Sequence, residues 1–338
     1  TEQRPIQPTP VGALRFNTDS AKLEYFDGNQ YVNITTDSPE QNTGGTRGLI
    51  QHNCLNANAA TNVIQFINLT TTGNAVDFGD DSKNIKWCTG AGSRTRAIWS
   101  GSYNPATADN IRFSTFASQG DTIDFGDMTF QGRFCGSSSD STRVVQFCGA
   151  DPARTNTMEF VTIASTGNSV NFGDATYVNN YAAGMGSPTR GVFSGGYSPS
   201  VGVNTMDYIT FSTTGNAADF GDLTYTNAAA SKGKSNAVTG FVVGGQSGGT
   251  YSNDVNRVTI ASLGSAIADD DHLTNVTYQG AMSSPTRLVL AGGVRGGSVS
   301  NTITYKQIIS SGAFFDFGDL SQEVANTDAT SNGHGGLG

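Results

Sequence analysis

The chain has 338 residues, 43 of them glycine, with a net charge of −9 and only 14% charged side chains. That length fits one large β domain or two average ones, and without a Lys/Arg cluster it offers no phosphate-tracking groove, which excludes nucleic acid as a partner. No apolar run approaches the roughly 18 residues that cross a bilayer, and Thr1 to Pro5 is not followed by a signal-peptide core, so the expectation is a chain made in the cytoplasm without membrane insertion.

Residues 1–38 stand apart from the rest of the chain. Gly12 to Phe16, Lys22 to Asp27 and Gln30 to Ile34 read as a small three-stranded β-meander, with Asp27-Gly28 as its second turn. So short a sheet has too little core to stand alone, which makes it a docking segment. Residues 39–45 read as a linker.

From Thr46 a unit of about 48 residues recurs six times. Its first marker is Thr followed by Arg and an apolar strand, at Arg47, Arg96, Arg143, Arg190 and Arg287, with Val238-Thr239 as a degenerate copy. About 31 residues later comes Phe-Gly-Asp, ending at Asp80, Asp127, Asp174, Asp222 and Asp319; the fifth unit is read as carrying Asp270-Asp271-His272 there. Within the fourth unit, strands read over Gly191 to Gly196, Asn204 to Thr213 and Ala217 to Leu223, with Thr214-Gly215-Asn216 as a tight turn. A small-residue stretch such as Tyr181 to Gly186, before the next Thr-Arg, supplies a fourth strand.

Four strands per unit of this length predict an all-β fold, a six-bladed β-propeller over residues 46–338 preceded by the meander. The alternative, a β-solenoid, has shorter rungs. The first unit lacks a preceding small-residue strand, and Ala325 to Gly336 has no Thr-Arg after it, so the C-terminal segment is expected to complete the first blade and leave no open sheet edge.

The recurring charges suggest structural ion pairs within each unit: Arg47 with Asp80, Arg96 with Asp127, Arg143 with Asp174, Arg190 with Asp222 and Arg287 with Asp319. The fifth unit, with Thr239 and His272, would then lose both partners together, which avoids an unpaired buried charge. A ring of arginines binding an anion is the functional alternative.

Little else carries chemistry. His52, His272 and His334 have no companion at metal-ligand spacing, Asp269 to Asp271 lacks the spacing of a calcium loop, and no nucleophile elbow is present, so neither metal nor cofactor nor catalytic residue is assigned. Cys54, Cys88, Cys135 and Cys148 read as free, mostly buried thiols. What varies between units is the connection after the Thr-Arg strand, and Tyr103, Tyr197 and Tyr251 lie there among Ser, Gly and Asn as candidate binding-face residues.

Gly12 to Asp19 followed by Lys22 to Gly28 resembles a segment common in tail-fibre and other structural proteins of tailed bacteriophages. The repeat, with Ser187 to Gly196 and Asn216 to Thr224, resembles the kelch-like repeats of marine, cyanobacterial phage virion proteins. That resemblance implies a structural virion protein with no catalytic residues. The expectation is an appendage or tail-fibre component for host attachment, docked to other virion proteins through residues 1–45 and presenting a propeller face to a host-surface glycan or receptor. Capsid decoration, or a knob with a mainly structural role, is the alternative, and a polysaccharide-cleaving propeller enzyme is the remote one.

Overall fold

The computed structural model describes residues 10–17, 22–33, 47–55, 59–150, 153–198, 200–226, 232–247, 249–310 and 312–337. It forms two compact units, Thr1–Asn42 and Thr43–Gly338. Among the described residues regular structure is antiparallel strand, apart from a 3-10 turn at Gly335–Leu337. Among the described residues no helix is long and apolar enough to cross a membrane.

The first unit is a sheet of Leu14–Asn17, Lys22–Phe26 and Tyr31–Asn33. Its second turn closes because Asp27 Oδ1 accepts the N–H groups of Asn29 and Gln30, both at 2.7 Å. One face is tied by charge: Arg15 Nε donates to Glu24 at 2.7 Å and its guanidinium lies 3.8 Å from the Tyr31 ring centroid. The other carries Leu14, Phe16, Leu23 and Tyr25, all exposed.

The second unit contains six sheets, one per repeat, five of four strands and one of seven. Sheet 2 is Thr89–Gly92, Arg96–Tyr103, Thr107–Thr115 and Ile123–Asp127; sheet 3 is Gly136–Ser139, Arg143–Ala150, Arg154–Thr162 and Val170–Asn179. Sheet 4 is Ala183–Gly186, Arg190–Ser194, Thr205–Thr210 and Ala218–Asp222; sheet 5 is Lys232–Ser235, Thr239–Ser247, Thr250–Thr259 and Ile267–Asp269. Sheet 6 is Gly280–Ser283, Arg287–Ala291, Ser298–Gln307 and Phe315–Ala325, extended by the pair Val276–Thr277 and Val294–Arg295 and by Cys54–Leu55. Sheet 1 takes Arg47–Gln51, Thr61–Asn68 and Val76–Ile85 from one end of the repeat array and Asp328–Ser331 from the other, paired from Asp328↔Gln51 to Ser331↔Gly48.

The first strands of the sheets lie one against the next in cyclic order, from Thr89–Gly92 through to Asp328–Ser331 and back. Small residues at the contact points allow this approach: a Cβ on Gly184 would stand 2.0 Å from the Ser137 carbonyl oxygen. Serine hydroxyls bind across the gaps, Ser139 Oγ to Gly92 O at 2.8 Å, Ser138 Oγ to Met185 O at 2.9 Å, Ser235 Oγ to Gly186 O at 2.6 Å and Ser283 Oγ to Ser235 O at 2.8 Å. The apolar core is correspondingly divided into clusters that straddle neighbouring sheets, one of which joins sheet 6 to sheet 1 through Met282, Phe317, Ile50 and Ile67.

Phe-Gly-Asp is the device that makes these junctions. In five sheets the marker Phe is the extra residue of a β-bulge, for example Phe220 between Asp207↔Asp219 and Met206↔Gly221. The bulge turns the ring inward, and Phe78, Phe125, Phe172, Phe220 and Phe317 are each 2% exposed; burying such a ring contributes about 2–3 kcal/mol. Its carbonyl then accepts from the turn glycine of the next sheet, as in Gly167 N–H to Phe125 O and Gly215 N–H to Phe172 O, both 2.7 Å, and Gly73 N–H to Phe317 O, also 2.7 Å.

The marker glycine is required twice over. Gly126 has φ 152° and a Cβ there would lie 2.4 Å from the Gly167 carbonyl oxygen, whereas the turn residue Gly120, at φ 151°, faces open space. Gly126→Ala is therefore expected to cost about 3 kcal/mol, strain plus overpacking, and Gly120→Ala about 1 kcal/mol, strain alone. Urea titration of the two variants checks the difference.

Candidate functional site

Among the described residues, none of the five expected Arg–Asp pairs forms an ion pair. Register explains why: Arg190 lies opposite Thr210, while Asp222 lies opposite Thr205 on the same strand, and five residues of strand span about 16 Å. Arg47, Arg96, Arg143 and Arg287 stand in the same relation to Asp80, Asp127, Asp174 and Asp319. Asp80, Asp174, Asp222 and Asp319 are exposed, and Asp127 is half-buried.

Each arginine instead couples one sheet to the next. Its guanidinium lies over an aromatic ring of its own sheet, Arg47 on Phe66, Arg96 on Phe113, Arg143 on Phe160, Arg190 on Tyr208 and Arg287 on Tyr305, at 4.6–4.8 Å from the centroid. That ring meets the marker Phe edge-on, as in Tyr208 with Phe220 at 6.2 Å. Nη1 donates to a carbonyl of the following sheet, Arg96 to Ile163 at 2.9 Å, Arg190 to Ile260 at 2.8 Å and, where the two ends of the repeat array meet, Arg287 to Leu69 at 2.9 Å.

The fifth unit departs differently from the sequence expectation. His272 N–H donates to Asn253 O as Leu223 N–H does to Asn204 O, so Asp271, not His272, stands at the marker Asp position. The Asp is kept. What is missing together is the whole stack: Thr239 replaces the arginine, Arg257 the ring and Asp269 the phenylalanine, and no bulge is present. Lys306 of sheet 6, 1% exposed at its side chain, fills the junction by pairing with Asp269 at 3.0 Å and donating to Gly312 O at 2.7 Å. The vacated arginine position is an open cleft of about 230 Å³ beside Thr239, Arg257 and Leu263.

A second arrangement, legible only in three dimensions, gathers around the residues that precede the first strands. Trp87, Phe134, Tyr181, Tyr278 and Asn326 occupy equivalent places and all adopt left-handed backbone, φ 53–64°, a conformation uncommon for bulky residues that marks a strained, over-determined site. The rings form an arc: Trp87 to Phe134 at 4.5 Å, Phe134 stacked on Tyr181 at 4.0 Å, and Tyr181 edge-on to Tyr278 at 6.0 Å. All are half-buried. With Asn326 and Lys232 they line a cavity of about 30 Å³, room for one or two waters.

The candidate tyrosines lie along this arc. Tyr103 packs on Trp87 at 5.0 Å; Tyr197 N–H bonds to Asn180 O, next to Tyr181, and its ring carries Arg154 at 4.8 Å. Tyr251 pairs with Gln246, whose amide donates to the Tyr278 hydroxyl. Arg133 sits over Trp87, Tyr103 and Phe134 at 5.3, 5.0 and 5.4 Å. Burial raises the Tyr181 hydroxyl pKa, and raises Tyr278 to about 12, so both stay neutral donors at neutral pH.

Elsewhere the polar groups serve the frame. Gln65, Arg112, Glu159, Asp207, Asn256 and Thr304 hold equivalent positions and each binds the preceding sheet, as in Arg112 with Asp81 at 2.9 Å and Asp207 with Thr176 at 2.8 Å. Burial raises Glu159 and Asp207, both already committed as acceptors. Cys54, Cys88 and Cys135 are free and buried, and burial pushes their thiols up, Cys54 to about 11 and Cys135 to about 12, which leaves them unreactive. Among the described residues no three His, Cys, Asp or Glu side chains gather to hold a metal.

No protein-family model matches the chain, and no curated protein matches it.

Two outcomes are expected from this geometry. Arg190→Gln should lose about 1–2 kcal/mol through its ring and carbonyl, while Asp222→Asn stays within about 0.5 kcal/mol; Thr239→Arg with Arg257→Tyr should regain about 1 kcal/mol that neither change regains alone, read by thermal unfolding. Burial lowers His52, His272 and His334 from the ordinary 6.5 to about 4. The unfolded chain therefore takes up protons that the folded one refuses between those values. Their contribution is complete above pH 6.5 and falls by about 1.4 kcal/mol per pH unit per histidine below it, which urea midpoints measured from pH 7 to pH 5 would register and His52→Gln would reduce.

Proposed function

We propose that the second unit is a six-bladed β-propeller and that the chain is a non-enzymatic structural protein of a phage virion, an appendage component that holds a host-surface glycan on its aromatic arc. Six sheets in cyclic contact, with the last strand of the chain completing the first sheet, support the propeller reading. The arc carries the functional one. Half-exposed rings held in strained backbone at one end of the first strands offer flat apolar faces beside hydroxyls, which is how proteins grip sugar rings. The exposed apolar face of the first unit, Leu14, Phe16, Leu23 and Tyr25, suits docking to other virion proteins.

Capsid decoration is the second reading, and one observation favours it. Val76, Ile123, Val170, Ile267 and Phe315 occupy equivalent outer-strand positions and are each 54–59% exposed, an apolar band fit for lateral packing in a shell. Imaging the particle by electron microscopy with the chain labelled separates the readings. The appendage reading expects the label on the tail or its fibres and binding of the purified chain to host cells, reduced at least tenfold by Trp87→Ala with Tyr103→Ala. Label spread over the capsid with no host binding overturns it, as does release of oligosaccharide from host polysaccharide.

A further inference from the structure

We propose that the arc selects an anionic sugar, a uronate or sialate residue whose carboxylate is taken by Arg133 while its ring lies on Trp87 and Tyr103; this rests on the arc being a glycan-binding face. Arg15, Arg47, Arg96, Arg143, Arg154, Arg190 and Arg287 all stack on a ring, and every one of them also donates to an oxygen. Arg133 touches three rings and donates to no acceptor among the described residues, and its Nε is shielded from solvent without a partner.

A guanidinium pre-positioned by three rings has already lost most of its rotamer freedom, so an incoming carboxylate finds a fixed two-pronged donor. The aromatic faces meanwhile demand a ligand with a broad apolar side, which simple inorganic anions lack. The cavity that the rings line is too small for a sugar ring, so the ligand must lie across the arc, as a polysaccharide chain does. Single-stranded nucleic acid also combines rings and charge, but it needs a track of cations along its phosphates, and this chain has a net charge of −9 and no Lys/Arg cluster.

The test uses matched polymers: polygalacturonate, alginate and polysialic acid, each beside its methyl-esterified form, titrated into the full chain by calorimetry. At least one acidic polymer is expected to bind ten or more times tighter than its ester. Arg133→Gln should abolish that preference while the chain still unfolds in one cooperative transition, its midpoint lowered only by the lost ring contacts, and Arg133→Lys should restore part of it. Equal binding of acid and ester, lost in Trp87→Ala, overturns the charge selection and leaves the glycan-binding reading standing. Binding to none of the polymers, a preference that survives Arg133→Gln, or tighter binding of oligodeoxythymidylate each overturns the proposal.

Discussion

Each sheet of the second unit is held to its neighbour through one compact junction, and the architecture depends on it. A bulge places the marker phenylalanine in the gap, its carbonyl accepts the next sheet's turn glycine, and the Thr-Arg arginine crosses the same gap to a second carbonyl. A four-stranded sheet with two apolar faces cannot bury itself. By linking each sheet to the next, the junction turns six marginal sheets into one core distributed between them.

The junction between sheets 5 and 6 achieves the same end with different chemistry. Phenylalanine, ring and arginine are gone, and a lysine and an aspartate meet in the gap instead. Buried ions cost heavily unless paired and hydrogen-bonded; here Lys306 has both Asp269 and the Gly312 carbonyl, and Arg257 lies 4.0 Å from the same carboxylate. His272 fills the adjoining space with its Nε2 beside Thr304 Oγ1 at 3.2 Å. Coordinated replacement at one junction leaves a cleft where an arginine would lie, and so breaks the equivalence of the six repeats on the outside without breaking the contact inside.

At the centre, the two ends of the first strands differ. One bears the aromatic arc; the segment His334 to Leu337 packs with the other, where His334 Nε2 donates to Gly92 O at 2.8 Å, Arg94 donates to Leu337 O at 3.1 Å, and a Cβ on Gly336 would stand 1.8 Å from Ser139 O. The chain thus fills one end with its own backbone and leaves rings at the other. That asymmetry leaves half-exposed rings at one end of the first strands and packed backbone at the other.

Repeat length, strand count and the place of the C-terminal strand are legible in the residues, because turn glycines, small first strands and alternating apolar runs are local signals with a fixed period. The roles of the charged markers are not. Spacing along the chain makes Arg190 and Asp222 look like partners, yet strand rise sets them far apart, and the partners that matter, Tyr208 and the Ile260 carbonyl, are a variable aromatic and a backbone atom that no motif displays. For the same reason spacing alone misaligns the fifth unit by one residue, since only hydrogen-bond register fixes Asp271 rather than His272 in the marker position. Tyr103, Tyr197 and Tyr251 stand out by composition, but the arc they join depends on Trp87, Phe134, Tyr181 and Tyr278, scattered singly over nearly two hundred residues. Residue order alone dictates a periodic all-β chain with a repeat array whose two ends pair; which side chains share a junction and which rings face outward together depends on packing between sheets, because those contacts link residues that no local pattern connects.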